Sequence, residues 1–203
     1  MSDTARPSTA PDSASSSRRG QTLVEFALVL PMLLVLLLGI ADFGRVFASG
    51  ITMEALARDA AEAASQEYLQ QRRAAAGPPG AAAYAAVHAR AQEVACEEAE
   101  RLPNRTVSAG SCTMPVIGSC IHDEWGNHCS APSASVPAAC STMATWPPSL
   151  ANQPGGLPYV QLNACYQFTT IINLTDLRLP LGWSLSLGDI WLQRERVFTV
   201  ADY

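Results

Sequence analysis

The chain has 203 residues, a formal net charge of −5 at neutral pH, and thirteen basic residues, all of them arginine and scattered along the sequence. Phosphate binding needs clustered positive charge, so this distribution argues against a nucleic-acid-binding protein. The length leaves room for one membrane helix and one domain of modest size, and we expect no second catalytic domain.

The first segment, residues 1–17, consists mainly of Ser, Thr, Pro and Ala and has hardly an apolar side chain. Such a segment cannot bury enough surface to offset the entropy lost on ordering, so we expect it to be disordered. Arg18, Arg19 and Gly20 follow it, and residues 1–20 are interpreted as a cytoplasmic leader.

An apolar segment follows the leader. No charged residue occurs between Phe26 and Ala41, and counted from Leu23 the apolar stretch is about 19 residues long, close to the roughly 20 that cross a bilayer at a rise of about 1.5 Å per residue. Arginines lie before this stretch and Asp42 lies after it, which places the leader in the cytoplasm and the rest of the chain outside. The sequence therefore predicts a single transmembrane helix at residues 21–42.

Glu25 is the charged residue in the first part of this apolar stretch. A charge at the centre of a membrane helix costs about 2.5–3.5 kcal/mol, and less near the interface. One interpretation is purely positional, since a carboxylate in the first turn reaches the headgroups and is favoured by the positive end of the helix dipole. The other interpretation is that Glu25 has a function of its own.

The residues around Glu25 resemble a type IV pilin signal, in which a prepilin peptidase cuts after a glycine and glutamate is the fifth residue of the mature protein. A cut after Gly20 makes Gln21 the first residue and Glu25 the fifth. The following runs, EFALVLP at 25–31 and GIADFGR at 39–45, are similar to TadE-like pilus assembly proteins of tight-adherence (Flp) systems. The resemblance covers residues 18–65.

The resemblance implies a role for five residues. Gly20 and Gln21 would flank the processing site, and Glu25, Phe26 and Pro31 would act in assembly.

Two other export signals fit this sequence less well than the pilin signal does. A secretory signal peptide has a shorter apolar region and a small-residue cleavage site, and a twin-arginine signal would need different residues after the arginine pair.

Two helices are predicted after the membrane segment, in an extracytoplasmic helical layer at residues 43–102. The first continues from the membrane to Arg73, because residues 45–73 contain many alanines and no proline. Its small side chains at 53–64 either let another element approach closely or serve helix propensity alone. Gly-Pro-Pro-Gly at 77–80 breaks the helix, and a second helix, antiparallel to the first, is expected at 81–101.

A β-rich, cysteine-containing domain is predicted at residues 103–203. The segment 159–168 alternates with period two and places five side chains on one face, those of Val160, Leu162, Ala164, Tyr166 and Phe168. Further strands are expected at 106–112, 184–187 and 190–200. Residues 113–158 are interpreted as a long loop region, more often a variable surface than a binding site.

The predicted fold class is α+β: a long N-terminal transmembrane helix extends into a second helix, and both pack on a small antiparallel sheet with a disulfide-containing loop region.

The even number of cysteines on the outer side of the membrane predicts disulfides. The candidates are Cys96, Cys112, Cys120, Cys129, Cys140 and Cys165. Fifteen connectivities are possible, and we favour Cys96–Cys112 and Cys120–Cys129.

The segment 120–129 concentrates thiol, imidazole and carboxylate groups within ten residues, which raises the alternative of a zinc site. It lacks the paired Cys-x₂-Cys or His-x₃-His spacing of such sites, so a disulfide-closed surface loop is the preferred interpretation and no metal is expected. No cofactor is expected either.

No catalytic motif is recognisable in the sequence, which contains no nucleophile elbow, phosphate loop or His-Glu-x-x-His pattern. The three histidines, His88, His122 and His128, suggest no triad, and His88 is interpreted as a helix-face residue. We therefore expect a protein that is not an enzyme.

The function implied by the resemblance is that of a minor pseudopilin in the bacterial cytoplasmic membrane, cleaved by a prepilin peptidase and used to assemble or initiate a Flp pilus in cell adhesion. Its expected partners are the peptidase, other minor and major pilin subunits, the inner-membrane pilus assembly platform and the membrane itself, with no nucleic acid. The alternative is an uncleaved membrane-anchored domain whose residues 113–158 bind a ligand or metal. Retention of residues 1–20 in the mature protein would favour that alternative.

Overall fold

The computed structural model describes residues 15–75, 77–108, 111–148, 156–171, 177–178, 184–185 and 190–200. The chain forms two compact units, Met1–Phe43 and Gly44–Tyr203. A long apolar helix, a second helix, antiparallel sheets and three disulfides are present, so the predicted α+β fold class is confirmed.

Two α-helices precede the strands in the part of the chain that the structure describes. Helix α1 is Ser15–Ala74, and helix α2 is Ala81–Glu98 with a short 3₁₀ turn after it at Ala99–Arg101. Helix α1 begins inside the leader that was expected to be disordered, and residues 1–14 of that leader lie outside the described residues. The Gly-Pro-Pro-Gly segment ends α1 as predicted, because proline lacks the N–H that the next turn requires.

Eight strands follow in the described residues, and four of them form the main sheet. The antiparallel order of this sheet is β4-β3-β5-β8, while β1 pairs with β2 and β6 pairs with β7. The strands are β1 Thr106–Ser108, β2 Ser111–Met114, β3 Val116–Asp123, β4 Gly126–Cys129, β5 Tyr159–Phe168, β6 Leu177–Arg178, β7 Ser184–Leu185 and β8 Ile190–Thr199.

The predicted strand at 159–168 matches β5, and the one at 190–200 matches β8 to within a residue. The strand expected at 106–112 is instead a hairpin of two short strands, β1 and β2. Of the strand expected at 184–187, β7 accounts for the first two residues, and 186–187 lie outside the described residues.

The interpretation of 113–158 as loop is wrong in its first part, because β3 and β4 lie there and β3 is an interior strand of the sheet. Every residue of β3 is buried. The β3 sequence, VIGSCIHD, shows no regular alternation of polar and apolar residues, so period-two patterning does not reveal this strand.

The helices cover one face of the sheet. The five residues of β5 that were predicted to share a face are buried there, together with Ile117 and Ile121 of β3. Four alanines of α1 are also buried in this core: Ala57, Ala60, Ala61 and Ala64. Side chains this small let the helix lie close to the strands, which supports the packing interpretation of the alanine-rich segment over propensity alone.

The helices run in opposite directions across the sheet, as predicted. Tyr68, near the end of α1, and Tyr84, in the first turn of α2, both hydrogen-bond to Asp123 at the end of β3. The guanidinium of Arg45, much earlier in α1, lies 5.3 Å from the ring centroid of Phe168 at the end of β5. Because β3 and β5 are antiparallel, these two contacts are at opposite ends of the sheet.

The other face of the sheet is covered by the chain between β4 and β5. Val116, Cys140, Met143 and Cys165 form a small second core there, with Trp146 packed against it. A Cβ on Gly118 would lie 2.8 Å from the Trp146 ring, so only glycine allows the indole to lie on β3. The loop segment 130–148 is thus a packed layer of the fold.

Candidate functional site

The predicted processing residue Gly20 lies in α1, in the first unit. Apart from its two chain neighbours and the nearby backbone of its own helix, no heavy atom lies within 4 Å of the position that a Cβ on Gly20 would occupy.

Gln21 and Glu25 are brought together by the helix. The Gln21 side-chain amide, Nε2, donates to the Glu25 carboxylate Oε1 at 3.2 Å. Residues four apart face the same side of an α-helix, which explains the contact. The residue proposed as the new N-terminus and the carboxylate proposed as its partner therefore lie on one side of α1.

The surface around Glu25 is apolar and exposed. Phe26 is 58 % exposed, and the large apolar side chains that follow it in the first unit are also open to the surroundings. By length and composition α1 can cross a membrane. A helix that is apolar all round needs lipid or other helices to cover it, so this segment is suited to membrane anchoring and helix packing.

Pro31 lies inside α1, six residues after Glu25. Proline has no backbone N–H, so the Ala27 carbonyl lacks its usual helical partner. Membrane helices tolerate such positions because neighbouring helices or polar side chains can satisfy the free carbonyl. Pro31 therefore leaves the Ala27 carbonyl as a hydrogen-bond acceptor within the apolar segment.

All six cysteines form disulfides. The bonds are Cys96–Cys112, Cys120–Cys129 and Cys140–Cys165, and no free cysteine occurs in the described residues. The first two are the pairs favoured from the sequence. The bond between Cys120 and Cys129 joins β3 to β4 and leaves neither sulfur as a thiolate ligand, so the segment 120–129 has the form of a disulfide-closed hairpin.

A buried polar cluster at the end of β3 was not predicted. The Asp123 carboxylate Oδ2 accepts hydrogen bonds from the Tyr68 hydroxyl at 2.9 Å and the Tyr84 hydroxyl at 2.7 Å. Its Oδ1 accepts from the backbone N–H of Trp125 at 3.0 Å. The imidazole of His128 stacks on the Tyr84 ring at a centroid distance of 3.7 Å.

The cluster keeps both tyrosines protonated. Burial, together with the hydrogen bond to the Asp123 carboxylate, raises the pKa of Tyr68 and of Tyr84 above the usual value. Both hydroxyls therefore remain hydrogen-bond donors over the physiological pH range.

The Asp123 carboxylate joins α1, α2 and the β3–β4 turn, so the cluster fixes the helical layer on the sheet. Sequence spacing could not reveal it, since its members lie on three separate elements.

His88 is a hydrogen-bonded side chain between α2 and the sheet rather than a simple helix-face residue. Its Nδ1 lies 2.8 Å from the Ser119 hydroxyl on β3. Burial lowers the pKa of His88 to about 4, so the imidazole is neutral at pH 7. Ser119 is 1 % exposed, so no substrate can reach its hydroxyl, and this serine–histidine pair has a structural role.

We expect Asp123→Ala to destabilise the second unit by about 3–5 kcal/mol, because two buried hydroxyls and a backbone N–H would lose their acceptor. Urea unfolding of the detergent-solubilised chain, followed by circular dichroism, measures the loss. The matched control is the neighbouring Glu124→Ala, which removes only an exposed ion pair with Arg72 and should cost less than about 1 kcal/mol. Equal effects of the two substitutions would contradict the role of Asp123.

Comparison with known protein families agrees with the resemblance noted in the sequence. Residues 20–62 match the family model described as TadE-like protein, which confirms the predicted recognition of this segment. No curated protein and no solved structure matches the chain. The match covers the residues proposed for processing and assembly and ends within the outer part of α1.

Proposed function

From the TadE-like segment at residues 20–62, which suggests involvement in a tight-adherence (Flp) pilus system, we propose that this protein is a minor pseudopilin. It is inserted in the bacterial cytoplasmic membrane, cleaved by a prepilin peptidase and used to assemble or initiate the pilus, and it has no catalytic activity. The observation that carries the proposal is the pair Gly20 and Glu25. The carboxylate lies five residues after the glycine, on an exposed apolar helix.

Processing in this proposal removes residues 1–20. The peptidase binds the chain on the cytoplasmic side and cuts the bond between Gly20 and Gln21. The glycine before the cut supports this step, because a residue without a side chain lets an enzyme approach the backbone closely.

Assembly begins with the charge of Glu25. The cut leaves a new α-amine on Gln21, and the carboxylate neutralises it, either within the chain or on a neighbouring subunit. The hydrogen bond between the Gln21 and Glu25 side chains supports this step, because it places the Glu25 carboxylate on the same side of the helix as Gln21. An unpaired charge is costly in the membrane, so pairing favours helices that pack together.

Partners cover the exposed apolar surface of α1. In the membrane these are other minor and major pilin subunits and the assembly platform. The second unit lies outside the cytoplasm, where it recognises other subunits or a surface in adhesion. Its three disulfides support this location, because such bonds persist in oxidising compartments.

Replacing Gly20 with leucine is expected to block maturation, because the side chain occupies the space through which the peptidase reaches the backbone. Co-expression with the cognate peptidase, followed by N-terminal sequencing and intact-mass measurement, tests this expectation. The wild-type product should begin at Gln21. Retention of residues 1–20 in the wild-type protein would contradict cleavage between Gly20 and Gln21 and would favour an uncleaved membrane anchor.

The protein is expected to be a minor component with few copies per pilus. Helices that bundle at an axis spacing of about 8–10 Å leave no room in a thin fibre for a unit as large as Gly44–Tyr203 on every subunit. Deleting the protein should abolish or greatly reduce piliation while synthesis of the main subunit continues. Quantitative mass spectrometry of sheared pili gives the count, and a ratio near one to one with the main subunit would overturn this placement.

A further inference from the structure

The residue that becomes the N-terminus in the proposed function is a glutamine. Cleavage after Gly20 frees the α-amine of Gln21, which then carries an amine and a side-chain amide in one residue. These two groups are spaced so that they can close a five-membered ring, and groups held in one molecule react far more readily than separate molecules do. Gln21 is therefore a residue at which the mature chain can modify itself.

Ring closure is an attack of the Gln21 α-amine nitrogen on Cδ of the side-chain amide. The bond between this nitrogen and Cδ forms, and the bond between Cδ and Nε2 breaks. Nε2 leaves as ammonia after it takes up the proton that the amine gives up, and no further reactant is consumed. The product is a pyroglutamyl N-terminus, a neutral lactam that has lost the charge of the amine.

The Glu25 carboxylate contacts the group that would have to leave. Both side chains are exposed on α1, and Gln21 Nε2 donates to Glu25 Oε1 at 3.2 Å across one turn of the helix. A hydrogen bond to a carboxylate increases the electron density that the amide nitrogen shares with Cδ, so Cδ is attacked less readily. The same bond restrains the side chain towards residue 25, whereas ring closure requires Cδ to approach the nitrogen of its own residue.

The charge of Glu25 acts in the same direction. Only an uncharged amine has the lone pair that attacks Cδ, and a nearby carboxylate favours the charged form of the amine. Leu23 and Val24, between the two residues, are 70 % and 61 % exposed and are suited to a lipid environment. Charge interactions are stronger where lipid replaces water, so the effect of Glu25 on the amine is larger there than in solution.

We infer that Gln21 of the mature protein is a site of self-cyclisation and that Glu25 slows the reaction. The site exists only if cleavage leaves Gln21 as the first residue, so it rests on the proposed function. A mature copy then has two fates. While Glu25 pairs with the amine, the copy keeps the charge that assembly uses. Once the lactam has formed, that charge is lost for good, and the copy no longer competes for a place in the pilus.

Intact-mass measurement of the purified mature protein follows the reaction. Samples kept in detergent at mildly alkaline pH are expected to lose the mass of one ammonia. The loss should be slow in the wild type and about fivefold faster in Glu25→Ala and Glu25→Gln, because neither variant offers a charge to the amide or the amine. Wild-type rates in both variants would reject the role of Glu25. Constant mass in every chain that keeps Gln21 would reject the site itself.

Two controls accompany these variants. Asp42→Asn removes a carboxylate from the same helix, 21 residues after Gln21, and should cyclise at the wild-type rate. Gln21→Ala has no side-chain amide and should keep its mass throughout. A faster reaction in Asp42→Asn would show that loss of any carboxylate from α1 is sufficient, which would contradict a specific role of Glu25.

A second route to the same N-terminus separates this result from the pseudopilin proposal. Residues 17–20 are replaced by the sequence Ile-Glu-Gly-Arg, which factor Xa recognises, so that factor Xa cuts directly before Gln21. The product with Glu25 and the product with Glu25→Ala should differ in cyclisation rate as the naturally cleaved proteins do. Failure of the prepilin peptidase to cut after Gly20 would reject the pseudopilin proposal. Equal rates in the two factor Xa products would reject only the role of Glu25.

The fate of cyclised copies is read from cells. Mass spectrometry of the N-terminal peptide should find the lactam in the membrane fraction, in a proportion that rises after protein synthesis is stopped. Sheared pili should contain the open form of Gln21. A cyclised chain gives no signal in N-terminal sequencing, so the peptide mass is the measurement that decides. An equal or higher proportion of lactam in the pili would contradict the loss of assembly on cyclisation.

Discussion

Glu25→Ala is expected to abolish piliation while the protein still inserts in the membrane. Removing a carboxylate from an apolar helix makes insertion easier, by up to about 3 kcal/mol at the bilayer centre and by less near the interface. Assembly should fail because nothing neutralises the new amine of Gln21. Membrane fractionation measures insertion, and electron microscopy of cells measures piliation.

Two further substitutions at this position separate charge from hydrogen bonding. Glu25→Gln keeps an oxygen that can accept from the Gln21 side chain but has no charge, so it should fail as the alanine variant does. Glu25→Asp keeps the charge with a shorter side chain and should retain part of the activity. If Glu25 only anchors the helix at the interface, all three variants should form pili like the wild type, and the charge-pairing role would be rejected.

The features that were predicted correctly are those that a short stretch of sequence encodes. The resemblance to TadE-like proteins rests on consecutive residues of one helix, and the family model matches that same segment, residues 20–62. The same holds for β5, whose Val160 and Leu162 alternate with polar neighbours and mark the face that packs against the helices. In each case the pattern and the structure involve the same consecutive residues.

The features that were missed depend on packing between distant segments. Strand β3 contains Gly118, Ser119 and His122, which have the composition of a loop, yet it is buried between the helices and the 130–148 layer. Gly118 is required by Trp146, which is 28 residues later in the chain. Such a requirement arises only when the fold brings the two residues together, so no local pattern reveals it.

The Asp123 cluster has the same origin. Tyr68 and Tyr84 flank the break between the helices, and Asp123 lies in the segment 113–158, for which the sequence predicts a loop region. Each residue alone is unremarkable in the sequence.

Reduction of the disulfides is expected to unfold the second unit near physiological temperature. The three bonds close loops whose ends are 16, 9 and 25 positions apart. In the chain-entropy account each such loop stabilises the fold by about 3 kcal/mol. Together the three approach the total stability of an ordinary domain, which is about 5–15 kcal/mol. Thermal unfolding with and without reductant measures the effect.

The three disulfides should differ in how much each one stabilises the second unit. Cys140–Cys165 fastens the 130–148 layer to β5 and closes the longest loop, so replacing both cysteines with serine should lower the melting temperature most, by about 6–12 °C. Cys120–Cys129 joins β3 to β4, which backbone hydrogen bonds and a short turn already hold together. The double serine variant of that pair should therefore lose least. The reverse order would show that hairpin closure, rather than attachment of the 130–148 layer, limits stability. Free thiols at all six positions in protein extracted from the membrane would refute the oxidised state itself.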